Sequence, residues 1–467
     1  MALKEECGVF GYYSTEDRPN IAKTVYYGLF ALQHRGQEAC GIAVNKDRII
    51  TCKKDLGLVT DVFSDADLSA MPGSISLGHV RYSTVGSNTR ENAQPLFVSY
   101  VKGTLAIAHN GTIFNADELR RELEAEGALF HSTNDTEIIA YLIAKARINC
   151  PSVEEAIAKV MPKLRGSYSM LVMSPTKLIA VRDPFGIRPL CMGRIGEDYV
   201  FASETCALDT VGAELVRDVK PGEIITLHHG KFTSDERFCS ANTGACIFEH
   251  IYFARPDSVI DGQSVNESRV LTGKLLAKQH PVDADLVIGV PDSGLSSAIG
   301  YSMGSGIPFG LGLVKNRYIG RTFIQPSQSQ RERSVALKLN VLKSNVAGKR
   351  VIMVDDSIVR GTTIANIVKL LKKAGATQVH VRIASPKFLY PCYFGTDVPD
   401  RDQLACCKYT DEELLKKIDA DSLGFLDVNT LDEIVPNAKV KFCKGCFTGK
   451  YPDCPAAGKA QKNVFEK

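Results

Sequence analysis

Val351-Ile-Met-Val-Asp355-Asp356-Ser-Ile-Val-Arg360-Gly361-Thr362-Thr363 is the stretch on which the fold reading turns. Its apolar run, set between Lys349-Arg350 and two carboxylates, reads as a buried parallel strand covered on both faces. Ile364, Ile367, Val368 and Leu371 then recur at helical spacing as far as Gly375, a natural C-terminal cap. The order is strand, loop, helix. Such a loop lies at the carboxyl end of its strand, where open α/β sheets bind ligands, and the helix start offers N–H groups to an anion. The amides of Gly361 to Thr363 and the two Thr hydroxyls suit a monophosphate. Asp355 and Asp356 do not, and ribose hydroxyls with a hard divalent cation are the partners such a pair takes. An ordinary strand with a chance acidic pair is the alternative, and the agreement of loop chemistry with strand weighs against it.

This stretch resembles the phosphoribosyl pyrophosphate (PRPP) motif of type I phosphoribosyltransferases. The resemblance implies that Asp355 and Asp356 hold the ribose and its Mg²⁺. It implies also that Arg360, Gly361, Thr362 and Thr363 surround the 5-phosphate. The acceptor is left open, and a repressor that senses PRPP would carry the same motif.

The chain has 467 residues, which suggests about three domains, with two or four tolerable. A net charge of +3, with 23% charged residues, gives no basic excess that calls for nucleic acid. No apolar run approaches the roughly 18 residues of a membrane span. Met1-Ala-Leu-Lys-Glu-Glu6 lacks an apolar signal core, so the expected location is the cytoplasm. The 14 cysteines are scattered through segments of a full-sized core, and most read as reduced, buried thiols.

Cys7-Gly-Val-Phe-Gly-Tyr-Tyr begins a strand after only six residues. Taken alone, Cys7 is a structural thiol. If Met1 to Glu6 were removed, it would carry both a thiol nucleophile and a free α-amine, whose pKa of about 8 suits a general base. His79-Val-Arg81-Tyr-Ser-Thr84 follows strand-like Ser74 to Gly78 and sets a guanidinium, the preferred fork for a carboxylate, at a strand end. His109-Asn110-Gly111 follows apolar Leu105 to Ala108. Gly111 there permits a tight turn, and the Asn110 side chain with the Gly111 amide makes an oxyanion hole. Asn134-Asp135-Thr136 opens a helix from Glu137 to Ala146, for which Asp135 alone reads as the N-cap.

Together these segments resemble the N-terminal-nucleophile glutaminase domain of glutamine amidotransferases. The motifs are Cys-Gly-Val-Phe-Gly, His34-Arg-Gly-Gln-Glu38, His-Val-Arg-Tyr-Ser-Thr, His-Asn-Gly and Ser-Thr-Asn-Asp-Thr. The resemblance implies Cys7 as nucleophile, Arg81 and Asp135 as the clamp on glutamine's carboxylate and amine, and Asn110 with Gly111 as the oxyanion hole. Thr112 stands where relatives often have Asn, after the oxyanion groups.

Helical patterns cover Ala116 to Glu126, Thr136 to Arg147 and Val153 to Leu164. Strand patterns cover Ser167 to Met173, Lys177 to Val181 and Glu223 to Leu227. This partial segregation fits a layered αββα domain. Polar Lys231 to Thr243 looks like the domain join, and Cys246 to Ser258 begins something new, with His250 read as a packed side chain. Asp285 to Val290 reads as a second buried strand, and Pro291-Asp-Ser293-Gly294 as an anion nest. In the family this turn holds pyrophosphate, with Ser293 near the metal. Lys315 to Arg331 is a long aperiodic basic loop, either solvated or a lid bringing Lys315 and Arg317 to the phosphates.

Cys443-Lys-Gly-Cys446 has several meanings: redox pair, half a zinc site or part of an iron-sulfur site. Further ligands would come from Cys246, Cys392, Cys406, Cys407 or Cys454, and spacing leaves zinc, iron-sulfur and no metal all open. Cys246-Ile-Phe-Glu, Tyr-Pro-Cys392-Tyr-Phe-Gly and Cys443-Lys-Gly-Cys446-Phe-Thr-Gly are similar to the ligand segments of the iron-sulfur branch of amidophosphoribosyltransferases. That resemblance, from residue 5 to about 455, implies one 4Fe-4S cluster on Cys246, Cys392, Cys443 and Cys446, and a short propeptide ahead of Cys7. It implies also PRPP and glutamine as substrates, purine nucleotides as inhibitors and a homotetramer.

The expected architecture is an αββα glutaminase domain (7–235) followed by a parallel-sheet phosphoribosyltransferase domain with a C-terminal iron-sulfur segment (245–455). Residues 1–6 form the propeptide and 456–467 a flexible tail. Rival readings are another glutaminase-fed synthase, which leaves the PRPP loop unexplained, and a PRPP-sensing regulator, for which the complete glutamine site is superfluous. An electron-transfer protein would need a flavin or nicotinamide fingerprint that the chain lacks.

Overall fold

The computed structural model describes residues 7–82, 88–316, 339–396, 398 and 400–453. The expected propeptide, Ser83 and Thr84, Arg317 with the rest of the expected lid, Cys454 and the tail lie outside these residues.

Two antiparallel sheets are stacked in the first half. One has seven strands, with Gly8–Arg18 paired on one side to Asp198–Ala202 and on the other to Gly73–Arg81. The other has six, and Gly103–Ile113 and Gly166–Met173 lie next to each other in it. Alternation along the first strand explains the layering. Phe10 and Tyr12 pack under the helix Ile21–Ala31, while Val9 and Tyr13 face the second sheet and join Ala106, Ala108 and Leu171 between the layers. Helices Ala116–Ala125, Asp135–Ile148 and Val153–Val160 cover the outer face of the second sheet through Leu119, Ile139, Ile143 and Ile157.

The second half is built on a four-stranded parallel sheet, in the order Leu286–Gly289, Arg350–Asp355, Gln378–Ile383 and Ser422–Phe425. Successive residues of Arg350–Asp355 point to opposite faces. Ile352 and Val354 pack with Leu276, Ala298 and Tyr301 from the helices Val265–Gln279 and Leu295–Ser305. Val351 and Met353 pack with Ile364, Ile367, Val368 and Leu371 from the helix Thr362–Lys373. Helices on both faces explain why the strand is an unbroken apolar run. The fold is thus an αββα layered domain followed by a doubly covered parallel sheet, as expected.

Three local expectations are corrected. His109-Asn110-Gly111 is no tight turn, because the strand runs on to Ile113 with Gly111 at φ +147°. A Cβ there would lie 2.1 Å from the Ser167 carbonyl oxygen, so glycine is required for close approach. The N-cap of the helix Asp135–Ile148 is Asn134, whose side chain accepts from the Thr136 amide, and this leaves Asp135 free to face inward. The helix predicted to reach Leu164 stops at Val160, and Met161–Lys163 tightens to a 3₁₀ turn around Pro162.

The linker strand Ala245–Cys246 pairs in parallel with Phe442–Cys443, bringing the C-terminal segment back to the join. His250 is the packed side chain its apolar neighbours implied, buried with its Nδ1 against the Ser268 hydroxyl at 3.2 Å. No helix among the described residues is long and apolar enough to cross a membrane.

Candidate active site

Cys7 lies at the start of the first strand, and its thiol donates to the Tyr82 carbonyl at 3.5 Å. Its own carbonyl accepts from Arg35 Nε at 3.0 Å. Arg35 sits in the loop after the first helix, which reaches the site because Gly36 lies directly on the Val80–Arg81 backbone. A Cβ at Gly36 would come 2.6 Å from the Arg81 amide nitrogen. Arg81 is buried beside this loop at the end of its strand.

His79 ties the first sheet to the second by donating from Nε2 to the His109 carbonyl at 3.0 Å. Burial pushes its imidazole down to about 3, so it is a neutral strut. Asn110 follows His109 and is 1% exposed, and its Nδ2 has no hydrogen-bond partner among the described residues. A buried, unpaired donor is what an oxyanion requires and what a purely structural asparagine avoids. Asp135 is also buried, with Oδ2 accepting from the Ile113 amide at 3.0 Å and Oδ1 3.7 Å from His109 Nδ1. Cys7, Arg81, Asn110, Gly111 and Asp135 therefore come from four elements to one end of the stacked sheets.

A second site lies at the carboxyl ends of the parallel strands. Ser293 donates to Asp356 Oδ1 at 2.6 Å, and the Asp356 amide donates to Asp355 Oδ1 at 2.9 Å. Burial, then the neighbouring Asp356 charge, pushes the Asp355 carboxyl well above its usual range. Two adjacent buried carboxylates so placed fit a hard divalent cation, which would lift that penalty. Gly361 has φ +79° and leads into Thr362 and Thr363, whose first-turn amides have no intrahelical acceptor. Arg360 reaches Gln403 at 2.8 Å, and Lys315 pairs with Asp292 of the Pro291–Gly294 turn at 2.6 Å. Ser293, Lys315, Asp355, Asp356 and the 360–363 loop thus surround one end of the sheet.

Cys246, Cys392, Cys443 and Cys446 line a third feature, a cavity walled by Phe248, Phe388, Phe394 and Tyr451. Burial, then the other three thiols, drives the Cys446 thiol well above its usual range. No group of three or more such residues among those described is close enough to hold a single metal ion. In a cluster each thiolate binds a different iron, and four cysteines on one apolar cavity are the donor set such a group takes. Cys406 and Cys407 do not line the cavity.

Residues without a role in the sequence reading join the halves. Arg35 donates to Glu204 at 2.6 Å and to both oxygens of Glu249 at 2.7 and 3.0 Å. Arg182 binds Asp261 through two bonds of 2.7 and 2.8 Å. Arg188 reaches the Phe394 carbonyl beside Cys392. Arg35 lay in plain view within the His34–Glu38 motif, but its partners, about 170 and 214 positions away, gave no local signal.

The fold and these sites define a glutamine amidotransferase domain joined to a phosphoribosyltransferase domain. Residues 79–210 match the glutamine amidotransferase domain family, and residues 264–385 match the phosphoribosyl transferase domain family. An amidophosphoribosyltransferase from Methanocaldococcus jannaschii is 49% identical, over 96% of this chain and 97% of its own. The solved structure of an allosteric regulatory enzyme of purine biosynthesis superposes with a TM-score of 0.89 at 45% identity, covering 96% of each chain. That of glutamine PRPP amidotransferase from Bacillus subtilis, complexed with ADP and GMP, gives 0.88 at 45% identity, covering 96% of this chain and 97% of its own. The chain belongs to the amidophosphoribosyltransferase family.

Proposed function

We propose that the chain makes 5-phosphoribosylamine, glutamate and pyrophosphate from PRPP, glutamine and water, the first committed step of purine synthesis, with Cys7 as its nucleophile. The observation that carries the glutaminase assignment is the buried, unpaired Nδ2 of Asn110 beside the residues that surround Cys7. Removal of residues 1–6 leaves the Cys7 α-amine as general base. Arg81 grips the glutamine carboxylate and Asp135 its amine. Attack by the thiolate on the amide carbon sends the carbonyl electrons to oxygen, where Asn110 Nδ2 and the Gly111 amide receive the charge. Ammonia leaves as the tetrahedral adduct collapses to a thioester, which water hydrolyses to glutamate.

Ammonia then passes to the second site through a dry passage and displaces pyrophosphate at C1 of PRPP. Arg360, Gly361, Thr362 and Thr363 hold the 5-phosphate, and Lys315 holds phosphate at the pyrophosphate end. Ser293, Asp355 and Asp356 hold Mg²⁺, which supplies positive charge to the departing pyrophosphate when bound. The raised Asp355 carboxyl and the short Ser293–Asp356 contact support this reading.

Cys246, Cys392, Cys443 and Cys446 hold one 4Fe-4S cluster as a structural clamp, since the reaction transfers no electrons. Residues 7–235 and 245–455 act as the two domains, with 456–467 as a tail. The bound ADP and GMP of the Bacillus subtilis relative support control of this chain by purine nucleotides, because a monophosphate fits the loop that takes PRPP. A cytoplasmic homotetramer completes the reading.

Native mass of the protein purified without oxygen tests the maturation claims. Loss of residues 1–6 together with one 4Fe-4S unit per chain is expected. An intact N-terminus removes the free amine and sinks the proposed base, and zinc in place of iron sinks the cluster.

A further inference from the structure

Thr112 and Ile113, just past the oxyanion residues, give their amides to side chains. Thr112 donates to the Ser167 hydroxyl at 3.1 Å and Ile113 to Asp135 Oδ2 at 3.0 Å. Ser167 is fully buried, and the same hydroxyl donates to the Phe394 carbonyl at 2.9 Å, across 227 positions of sequence. Arg188 donates to that carbonyl as well. The Phe394 amide donates to Cys392 Sγ at 3.4 Å. Gly395 presses on the same place, for a Cβ there would come 3.0 Å from Thr112 Oγ1 and 3.6 Å from the Gly111 carbonyl carbon. Its φ of +99° makes any side chain at Gly395 strained as well.

We infer that Ser167 is a positioning residue for glutamine hydrolysis, whose hydroxyl locks the Asn110–Gly111 strand to the Cys392–Thr396 segment. This rests on the oxyanion role proposed above for Asn110 and Gly111. The hydroxyl is taken up by the Thr112 amide and the Phe394 carbonyl. Its effect is geometric: oxyanion donors help only when aimed at where charge develops, and misplacement by about 1 Å costs roughly 100-fold in rate. The cysteine-lined cavity, though outside both reaction sites, then sets the shape of the first one.

The test compares full-length wild type, Ser167→Ala and Gly395→Ala. Three quantities are read: glutamine hydrolysis, phosphoribosylamine synthesis from ammonium, and the rate at which a chloroketone analogue of glutamine alkylates Cys7, followed by mass. Ser167→Ala should lower kcat for glutamine about 10- to 100-fold, with KM within about twofold. Ammonium-driven synthesis and Cys7 alkylation should stay near wild type, since clamp and nucleophile are untouched. Gly395→Ala keeps every hydroxyl and should reproduce the kcat defect by pushing the segment onto the strand. Wild-type kcat in either variant overturns the inference. So does a loss that falls on KM, or one that takes the ammonium-driven synthesis with it, which would mark Ser167 as merely structural. A wild-type enzyme without glutamine hydrolysis would sink the functional reading itself, whereas an active wild type beside an unaffected Ser167→Ala sinks only this inference.

Discussion

Arg35 and Glu249 meet through hydrogen bonds of 2.7 and 3.0 Å in the buried join between the two halves, while Arg35 Nε holds the Cys7 carbonyl at 3.0 Å. One side chain therefore spans Cys7, the proposed nucleophile, in the first half and the start of the second. Burial works against the Glu249 charge, but Arg35 and then Arg188 outweigh it and hold the carboxyl below its usual range.

Truncating Glu249 to Ala leaves the Arg35 guanidinium short of one partner in a dry setting. Breaking a buried pair costs about 3–5 kcal/mol, and because Glu204 still binds Arg35 the loss should fall near the lower end. Urea unfolding of E249A against wild type measures it. A cost below about 1 kcal/mol would show that the pair carries little.

Asn110→Ala removes a buried donor that no hydrogen bond among the described residues uses. The kcat for glutamine hydrolysis should drop by about 100- to 1,000-fold, with stability and ammonium-driven synthesis nearly unchanged. Steady-state kinetics with each nitrogen source checks this, and a stability loss in place of a kcat loss would return Asn110 to a structural role.

Asp356→Asn tests the second site in isolation. It keeps the shape beside Ser293 but weakens the proposed cation site, so PRPP-dependent synthesis should fall by at least about 100-fold from either nitrogen source. Basal glutamine hydrolysis should survive. Loss of hydrolysis as well would mean that the aspartate pair supports the whole fold.

His79 makes the fold sensitive to acid. Burial holds its imidazole at about 3, whereas an unfolded chain has it near 6.5, so the unfolded state binds the extra proton between those values. Stability from this group is full above pH of about 6.5 and is lost as pH falls toward 3, by up to about 1.4 kcal/mol per pH unit. His109 and His250 are pushed down by burial as well. Asp183 and Asp218, pushed up to about 6 by burial, run the other way and lose stability as pH rises through that value. Comparison with His79→Gln isolates one proton: its stability should fall less steeply between pH 6 and 4. Parallel slopes would contradict the assignment.

Local order in the second half was readable because strand, loop and helix each signal within a few residues: Val351 to Val354 alternate between two covered faces, and Gly361 starts a helix. The glutaminase elements were readable for the same reason. Errors arose where a tertiary contact overrode local preference. Gly111 looked like a turn residue, but its missing Cβ admits the Ser167 carbonyl and the strand continues. Asp135 looked like a cap, but Asn134 caps and Asp135 turns inward to the Ile113 amide. Links such as Ser167 to Phe394 and Arg35 to Glu249 join residues more than 200 positions apart, and no periodicity or motif spacing encodes them.

The most direct measurement is the fate of the glutamine amide nitrogen. The enzyme is given PRPP, Mg²⁺ and glutamine labelled with ¹⁵N at the amide, in the presence of unlabelled ammonium. Phosphoribosylamine should carry the label, with labelled product and glutamate formed in equal amounts, and Cys7→Ser should abolish labelled product while still using ammonium. Glutamine hydrolysed without its nitrogen reaching ribose, or labelled product from Cys7→Ser, would contradict the account.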